Sequence, residues 1–400
     1  MPLAFKERQA VLRELAQRYG KARKSEKGAL LDEATKLLGY NRSYTARALR
    51  RWRRHRPSKR VSVDRPGRPP KYDLPAQQAL VRIWAIMNFA AGKRLAPFME
   101  ELVQALERHG ELHVQPKVRE QLLEMSAATI DRLLASERKR LELKGRSGTR
   151  PGSLLKHGIP IRTFADWDDA RPGFLEIDLV SHEGGNPAGE FCQTLDMTDI
   201  STAWTETAAV RNKAQRWVFE ALQERLTAFP FPILGLDSDN GSEFINNHLV
   251  AYCQQHQLTF TRSRPERKND NCYVEQKNWA VVRRTVGYRR YDTPEQLSLL
   301  NELYSVLRLY TNFFQPTQKL VRKQRHGAKV RRVYDGAMTP YQRVLASDHI
   351  SDADKQQLTQ LFLSLNPAQL QRDINRYQMT LMNLSTEPVA AVLSETAAAK

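Results

Sequence analysis

Apolar residues recur at helical spacing through the first third of the chain and at strand spacing in its middle. Val11, Leu12 and Leu15 predict a helix over 6–19. A second helix is predicted over 26–38 with Ser25 as its N-cap, and a third over 42–54. Gly39-Tyr40-Asn41 separates these two, and Gly39 suits a left-handed position at the end of the second. Residues 76–89 are strongly apolar, with Trp84 and Met87 near the end. Amphipathic patterns follow over 96–108 and 118–123, then a long helix reaching Leu143 with Ser126 as its N-cap.

From 174 onward the period changes. Strands are predicted over 174–180, 189–197 and 202–210, then a helix over 212–228. A strand over 232–238, a helix over 243–255, a short strand over 258–261 and a helix over 269–285 complete the alternation. That order predicts a mixed sheet flanked by helices. Leu297, Leu300, Leu303 and Leu307 mark a helix over 294–314. Two more are expected at 351–365 and after Asn366-Pro367, where Leu370, Ile374, Tyr377 and Leu381 keep helical spacing. The tail from Ser385 is expected to fray.

These patterns divide the chain into a helical unit over 1–56, a basic proline-rich linker over 57–73 and a second helical unit over 74–143. A basic linker over 144–173 leads into an α/β core over 174–292, and a helical and basic region fills 293–400. Multidomain organisation is normal for 400 residues.

The formal charge of +19 points to a polyanionic partner. The charge is clustered. Between Tyr40 and Lys71 there are twelve Lys or Arg and one acid, Asp64, and between Lys319 and Arg332 seven cations and no acid. The latter stretch reads equally as a DNA-contacting surface and as a solvated loop. Cys192, Cys253 and Cys272 have neither the pairing nor the His spacing of a zinc site, and so few cysteines suit a reducing cytoplasm. No apolar run approaches eighteen residues, and no signal peptide is visible, so no membrane role is expected. Gly92-Lys93-Arg94 lacks the rest of a P-loop, so any ATP dependence would come from a separate ATPase helper.

Three acids stand in distinct contexts. Asp178 lies in the apolar run Phe174-Leu175-Glu176-Ile177-Asp178-Leu179-Val180. Asp239 follows a second such run and opens Asp239-Asn240-Gly241-Ser242-Glu243-Phe244. Glu275 lies in the helical stretch Val274-Glu275-Gln276-Lys277-Asn278, with 275 − 239 − 1 = 35 residues between it and Asp239. Hard-oxygen ligands from separate elements suit Mg²⁺ or Mn²⁺, and a pair of such ions serves in-line displacement at phosphorus. Asp237 and Glu176 share strand faces with Asp239 and Asp178 and compete for the same roles. Asp196, Asp199 and Glu243 rank lower, and His182 reads as a solvent-facing loop residue.

The triad, its Asp-Asn-Gly turn and its last gap resemble the catalytic core of DDE insertion-sequence transposases and retroviral integrases. The resemblance covers about 174–290. It implies an RNase H-like core, with catalysis and metal binding by Asp178, Asp239 and Glu275 and two Mg²⁺ or Mn²⁺ ions. It favours Asp239 over Asp237 as the acid directly before Asn-Gly. It also implies an Asn three residues after the glutamate, matched by Asn278, and a Lys or Arg seven after it. Val282 stands there instead, with Arg283 next, and both Asn278 and Arg283 are expected to contact DNA.

The function so implied is metal-dependent cleavage at element ends followed by 3′-hydroxyl strand transfer into target DNA. It would be carried out by a homo-oligomer in a synaptic complex, in the cytoplasm at the nucleoid. A nuclease with the same core that does not join strands is the alternative, as is a sequence-specific DNA-binding regulator with an inactive core. The first helical unit reads as a helix-turn-helix with Arg47, Arg50, Arg51 and Arg54 on one face of its last helix. A small bundle with a solvated basic face would show the same pattern. Gly67-Arg68-Pro69 resembles a minor-groove AT-hook, a reading compatible with a plain linker. Residues 74–143 read as a second DNA-binding helical domain or as a structural spacer.

These readings separate two kinds of arginine. Arg47→Ala and Arg50→Ala should each cost about 1–3 kcal/mol on element-end DNA and relax sequence preference. Arg68→Ala should weaken binding most where the flanking DNA is A·T-rich. Titrations on matched and scrambled ends at fixed salt check this, and equal losses on both would reduce Arg47 and Arg50 to phosphate contacts.

Overall fold

The structure is a computed structural model that describes residues 5–54, 71–140, 171–238, 244, 247–262, 272–326 and 329–385. Two compact units result, residues 1–71 and 72–400.

The first unit contains α1 (Phe5–Lys21), α2 (Glu26–Leu38) and α3 (Arg42–Arg54). Leu12, Leu15, Ala16, Ala34, Leu38 and Leu49 close a small core between them. Gly39 ends α2 at φ 66°, and its N–H returns to the Thr35 carbonyl. Ser25 does not cap α2: it is itself helical, and the Glu26 carboxylate takes the Arg23 N–H at 2.8 Å instead. Asn41 serves α3, accepting from the Tyr44 N–H at 2.8 Å.

The second unit opens with α4 (Leu74–Ile86), α5 (Gly92–Arg108), α6 (Pro116–Leu123), α7 (Ala127–Leu133) and α8 (Ala135–Arg140). The long helix predicted after Ser126 breaks at Leu134, although Ser126 does accept the Thr129 N–H. Asp131 holds this region together, taking the Gly92 N–H at 2.8 Å and Arg138 at 2.7 Å. A Cβ at Gly92 would lie 2.3 Å from the Ala127 carbonyl oxygen, so only glycine allows that approach. The apolar side of these helices is continuous with the core that follows. Ile83, Phe98 and Leu102 share one cluster with Leu300, Phe314 and Phe362. Tyr310 donates its hydroxyl to the Ile86 carbonyl at 2.5 Å, and Asn366 and Arg372 both reach Glu111.

A five-stranded sheet comprises β1 (Phe174–Ser181), β2 (Gln193–Asp199), β3 (Thr205–Val210), β4 (Gly235–Ser238) and β5 (Thr259–Arg262), in the order β3-β2-β1-β4-β5. The first three are antiparallel, whereas β4 and β5 run parallel to β1. This is the mixed sheet the alternation predicts. β2 starts later than expected because 183–192 forms a loop gathered by Arg290, which donates to the Asn186, Ala188 and Glu190 carbonyls. β3 also starts late, after a turn in which Asp199 accepts from the Thr202 N–H, the Thr202 hydroxyl and the Gly173 N–H.

Helix α9 (Gln215–Leu226) packs on β2 and β3, and α10 (Asn247–Gln255) precedes β5. Next come α11 (Cys272–Lys277), a π-helical segment at Asn278–Arg283 and α12 (Arg284–Val286). The long α13 (Pro294–Phe314) lies along the free edge of β3. Asn312 pairs both backbone groups of Thr205, and Asn301 both of Ala209, so side chains complete an edge that would otherwise be open. A two-stranded hairpin, β6 (Leu320–His326) and β7 (Lys329–Tyr334), was not signalled by the sequence pattern. α14 (Pro340–Leu345), α15 (Asp352–Ser364) and α16 (Pro367–Leu384) finish the chain, with Asn366 capping α16 as expected.

His182 is fully buried, which corrects the expectation of a solvent-facing residue. Its Nε2 pairs with the Thr194 hydroxyl at 2.7 Å, which pairs in turn with the Tyr304 hydroxyl at 2.6 Å. Burial, then the nearby Arg283, lower its pKa from 6.5 to about 3. The folded state therefore refuses a proton that the unfolded chain accepts. Stability from this group is present above about pH 6.5 and is lost as pH falls toward 3. The buried carboxyls of Asp196 and Asp199, raised to about 8 and about 6 by burial, act in the opposite sense. The test is thus a difference: the stability gap between wild type and His182→Gln should shift by about 2 kcal/mol against wild type between pH 7 and pH 5. Denaturant titrations at both pH values measure it, and a pH-independent gap would show that His182 titrates normally.

Candidate active site

Strand alternation gives the sheet two unlike faces. Leu175, Ile177, Leu179, Leu195, Met197 and Leu236 lie on one. The other carries Glu176 and Asp178 on β1, Asp196 and Thr198 beside them on β2, and Asp237 on β4. Glu176, Asp196, Thr198 and Asp237 are all buried. Carboxyls removed from water need partners, and α11 and the segment after it supply several.

Glu176 Oε2 accepts the N–H groups of Tyr273 and Val274 at 2.8 and 2.9 Å. A strand acid thereby satisfies two donors at the start of α11, and its charge favours that helix end. Burial nevertheless raises the Glu176 carboxyl well above its ordinary value, with the two hydrogen bonds pulling it down and Asp237 and Glu275 pushing it up. Asp237, its register partner on β4, takes the Thr261 hydroxyl at 2.5 Å.

One step along β1, the Asp178 carboxylate accepts its neighbour Leu179 N–H at 2.8 Å and the Asn278 amide at 2.6 Å. Glu275 is exposed on the first turn of α11. Asn278 follows it by three residues, so the two share a helix face, and the amide contact turns that face toward Asp178. Asn278 Oδ1 is buried and, among the described residues, accepts no hydrogen bond. The π-helical segment begins at Asn278, a local widening of the kind that recurs at functional positions.

Asp196 sits opposite Asp178 on β2 and is fully buried. Burial raises its pKa to about 8, Lys277 opposes the rise and Asp178 adds to it. Lys277 is buried too, and burial lowers its pKa to about 8. Its Nζ donates to the Ala203 carbonyl at 3.0 Å, steadying a residue held at φ 61°. Lys277 thus adds nothing to an exposed basic surface; it anchors α11 from beneath.

The other cations of that stretch are also drawn inward. Arg283 donates to the Ser181 and Gly287 carbonyls at 2.7 and 3.4 Å and lies 4.7 Å from the Tyr288 ring. Arg284 reaches the Asn88 carbonyl and Arg289 the Ser385 hydroxyl. In this structure Asn278 and Arg283 therefore have protein partners where DNA contacts were expected. In the first unit Arg47, Arg50 and Arg51 are exposed along α3. The Arg54 side chain, Arg68, and Asp239 with its Asn-Gly turn lie outside the described residues.

Sequence reasoning ranked Glu176 only as a competitor for Asp178 and gave Asp196 and Lys277 no joint role. Glu176 was detectable as a second acid on the same strand face. Nothing local signals that Lys277 lies near enough to Asp196 to influence its charge.

The donor chemistry suits a hard divalent cation. Asp178 and Glu275 offer carboxylate oxygens from facing elements, and the Asn278 oxygen beside them has no partner among the described residues. Among the described residues no group of three or more metal-ligating side chains is assembled. None of the described helices is long and apolar enough to cross a membrane.

The integrase core domain family model matches residues 168–268, a span that includes Asp178 and Asp239 and ends before Glu275. The chain is 41% identical over 331 residues to the uncharacterized protein y4rM of Sinorhizobium fredii (strain NBRC 101917 / NGR234), covering 82% of this chain and 92% of that one. Among solved structures, the catalytic core domain of BIV integrase matches at 17% identity and TM-score 0.29, over 44% of this chain and 96% of that one. The HTLV-2 integrase catalytic core domain in complex with magnesium (dimeric form) matches at 10% identity and TM-score 0.28, over 36% and 90%.

The link from Glu176 to α11 can be tested alone. Glu176→Ala leaves two buried donors without an acceptor and should cost about 1–3 kcal/mol. Glu176→Gln keeps an acceptor oxygen and should cost less. Amide exchange should show the Tyr273 and Val274 N–H groups protected in wild type and Gln, and fast in Ala. Equal protection in all three would remove Glu176 as the anchor.

Proposed function

The chain belongs to one family with y4rM and carries an integrase/transposase-type catalytic core of RNase H-like fold, and on that premise we propose that it is a DNA transposase. It would cleave at element ends and transfer the freed 3′-hydroxyl into target DNA. The observation that most supports this is the Asn278–Asp178 contact, which brings the Glu275 helix face against the strand carrying Asp178. Ile177 pairs with Ser238, and the residues that follow these two in the chain are Asp178 and Asp239. Two of the three acids thus stand next to one strand pair in sequence, and the third rides on the helix docked above it.

Asp178, Asp239 and Glu275 would hold two Mg²⁺ or Mn²⁺ ions, which when bound stabilise charge on the attacking and leaving oxygens of an in-line displacement. In the first reaction a water oxygen bonds to phosphorus while the 3′-oxygen leaves and takes a proton. In the second that 3′-hydroxyl oxygen bonds to a target phosphorus and a target 3′-oxygen leaves. The chain's own groups keep the acids in place. Asn278 fixes one oxygen of Asp178, Glu176 fixes the first turn of α11, and Lys277 ties that helix to the β2–β3 turn. Such positioning matters because small displacements of catalytic groups cost rate steeply.

The α1–α3 unit is read as a helix-turn-helix that recognises element ends, with Arg47, Arg50 and Arg51 exposed on its last helix. Two element ends must be held together for transfer, so the working form is a homo-oligomer on DNA. A separate ATPase helper is compatible with this reading and has no support in the fold.

Asp178→Asn, Asp239→Asn and Glu275→Gln should each abolish Mg²⁺-dependent cleavage and joining while leaving DNA binding nearly intact. Asp237→Asn should keep substantial activity, since Asp237 is buried and engaged with Thr261. Incubation with element-end DNA and Mg²⁺, with cleaved and joined products resolved on a gel, measures both. Wild-type rates in a triad variant would exclude that residue, and cleavage without joining would make the protein a nuclease.

A further inference from the structure

The hairpin formed by β6 and β7 is hard to justify as a structural element. From Leu320 to Tyr334 it holds six Lys or Arg, one His and no acid. Most of its described side chains are exposed, on both faces, and Val321 and Val330 are 67% and 53% accessible. An isolated two-stranded ribbon is marginal in water without an apolar face to bury. Its pairing adds a further cost. Lys323 lies opposite Arg332, and like charges directly across a strand pair repel.

The root, by contrast, is firmly held. The Lys319 N–H donates to Asp335 at 2.6 Å, and the Asp335 N–H returns to the Lys319 carbonyl at 3.0 Å. Asp335 is the first acid after the ribbon, and Arg343 pairs with it at 2.7 Å. Lys319 Nζ donates to the Ser201 carbonyl at 3.0 Å and lies 5.8 Å from the Tyr273 ring. Tyr273 is the residue whose N–H Glu176 holds, two positions before Glu275. The ribbon therefore starts from the helix end that carries the candidate catalytic glutamate.

We propose that this ribbon is an arm that grips the phosphate backbone of duplex DNA beside the active site, an inference that rests on the reading of the core as a DNA-cleaving and DNA-joining enzyme. A polyanion removes the repulsion along the strands and gains by releasing counterions. Seven residues at about 3.3 Å each give a reach of about 20 Å, and a two-stranded ribbon fits the major groove. A second copy of the same ribbon is a poor partner, because it would bring cations against cations. The evenly spread charge points to backbone contacts, which position DNA without reading its sequence.

The experiment uses the full chain. Binding to a fluorescein-labelled duplex of arbitrary sequence is titrated by anisotropy at several salt concentrations. Wild type is compared with the triple variants Arg322→Gln/Arg331→Gln/Arg332→Gln and Arg322→Glu/Arg331→Glu/Arg332→Glu. Removing three phosphate contacts should flatten the slope of log affinity against log salt by about 2–3. Affinity at fixed low salt should fall at least tenfold for the Gln variant and further for the Glu variant. Near-UV circular dichroism and sedimentation velocity without DNA accompany the titration. An unchanged slope in both variants, with wild-type DNA binding and cleavage intact, overturns the arm and leaves the transposase reading standing. An unchanged slope with altered sedimentation would make the ribbon a self-association surface, which also overturns it. If wild type neither binds nor cleaves DNA, the transposase reading falls and takes the arm with it.

Discussion

Burying carboxyl groups on one face of a sheet creates a debt in hydrogen bonds, and most of the core's construction follows from meeting it. Glu176, Asp196 and Asp237 are all lost from water on the face where Asp178 lies. An apolar helix laid over that face would leave them unpartnered at a cost of several kcal/mol. α11 is laid over it instead, and it arrives with its backbone donors first. The Tyr273 and Val274 N–H groups meet Glu176 and the Asn278 amide meets Asp178, while Lys277 acts on Asp196 only through its charge and leaves Asp196 Oδ2 without a hydrogen-bond partner among the described residues. Those contacts fix the helix in both rotation and height. Glu275, exposed on the helix face it shares with Asn278, is positioned as a consequence.

The same packing explains the perturbed acids without assigning each a catalytic part. Glu176 and Asp237 are register partners on parallel strands, and Asp237 adds to burial in disfavouring charge on Glu176. Asp196 is raised by burial although Lys277 opposes the shift. Perturbed groups often mark functional sites, yet structural networks perturb them as well. Here the burial pattern separates the two kinds. Asp178 is half-buried and Glu275 exposed, as the catalytic role proposed for them requires. The strongly shifted acids lie beneath them as supports.

Much of this was legible in the sequence, for reasons that can be stated. Strands near Asp178 and Asp239 were readable because each acid closes or interrupts a short apolar run. Helices with local caps, such as Asn366 before α16, were readable because their signals sit within four residues. Ser25 failed because the helical turn begins before it: the Lys27 N–H already reaches the Arg23 carbonyl and the Arg23 N–H is held by Glu26, which leaves Ser25 inside the turn. His182 failed because its partner Thr194 lies 12 residues on, and Tyr304, which completes the network, lies 110 beyond Thr194. The break at Leu134 and the roles of Lys277 and Arg283 were likewise decided by residues distant in sequence. The hairpin was missed because its strands lack the alternating apolar face that reveals a strand packed on a core.

That last failure bears on how the net positive charge is distributed. Around α11 and α12 the cations that look available in the sequence are spent on protein carbonyls. Arg290 gathers the β1–β2 loop, Arg283 holds the end of β1, and Arg284 joins the core to the helices before it. An arginine with its donors used in this way makes a poor first contact for a phosphate, because a protein hydrogen bond must be broken for each one formed. The cations of the ribbon stand on strands whose backbone partners are only each other, and Arg322, Arg331 and Arg332 are exposed. Two similarly basic stretches of sequence thus mean different things once folded. In one the charge is mortar for the site, and in the other it remains at the surface, where a polyanion can reach it.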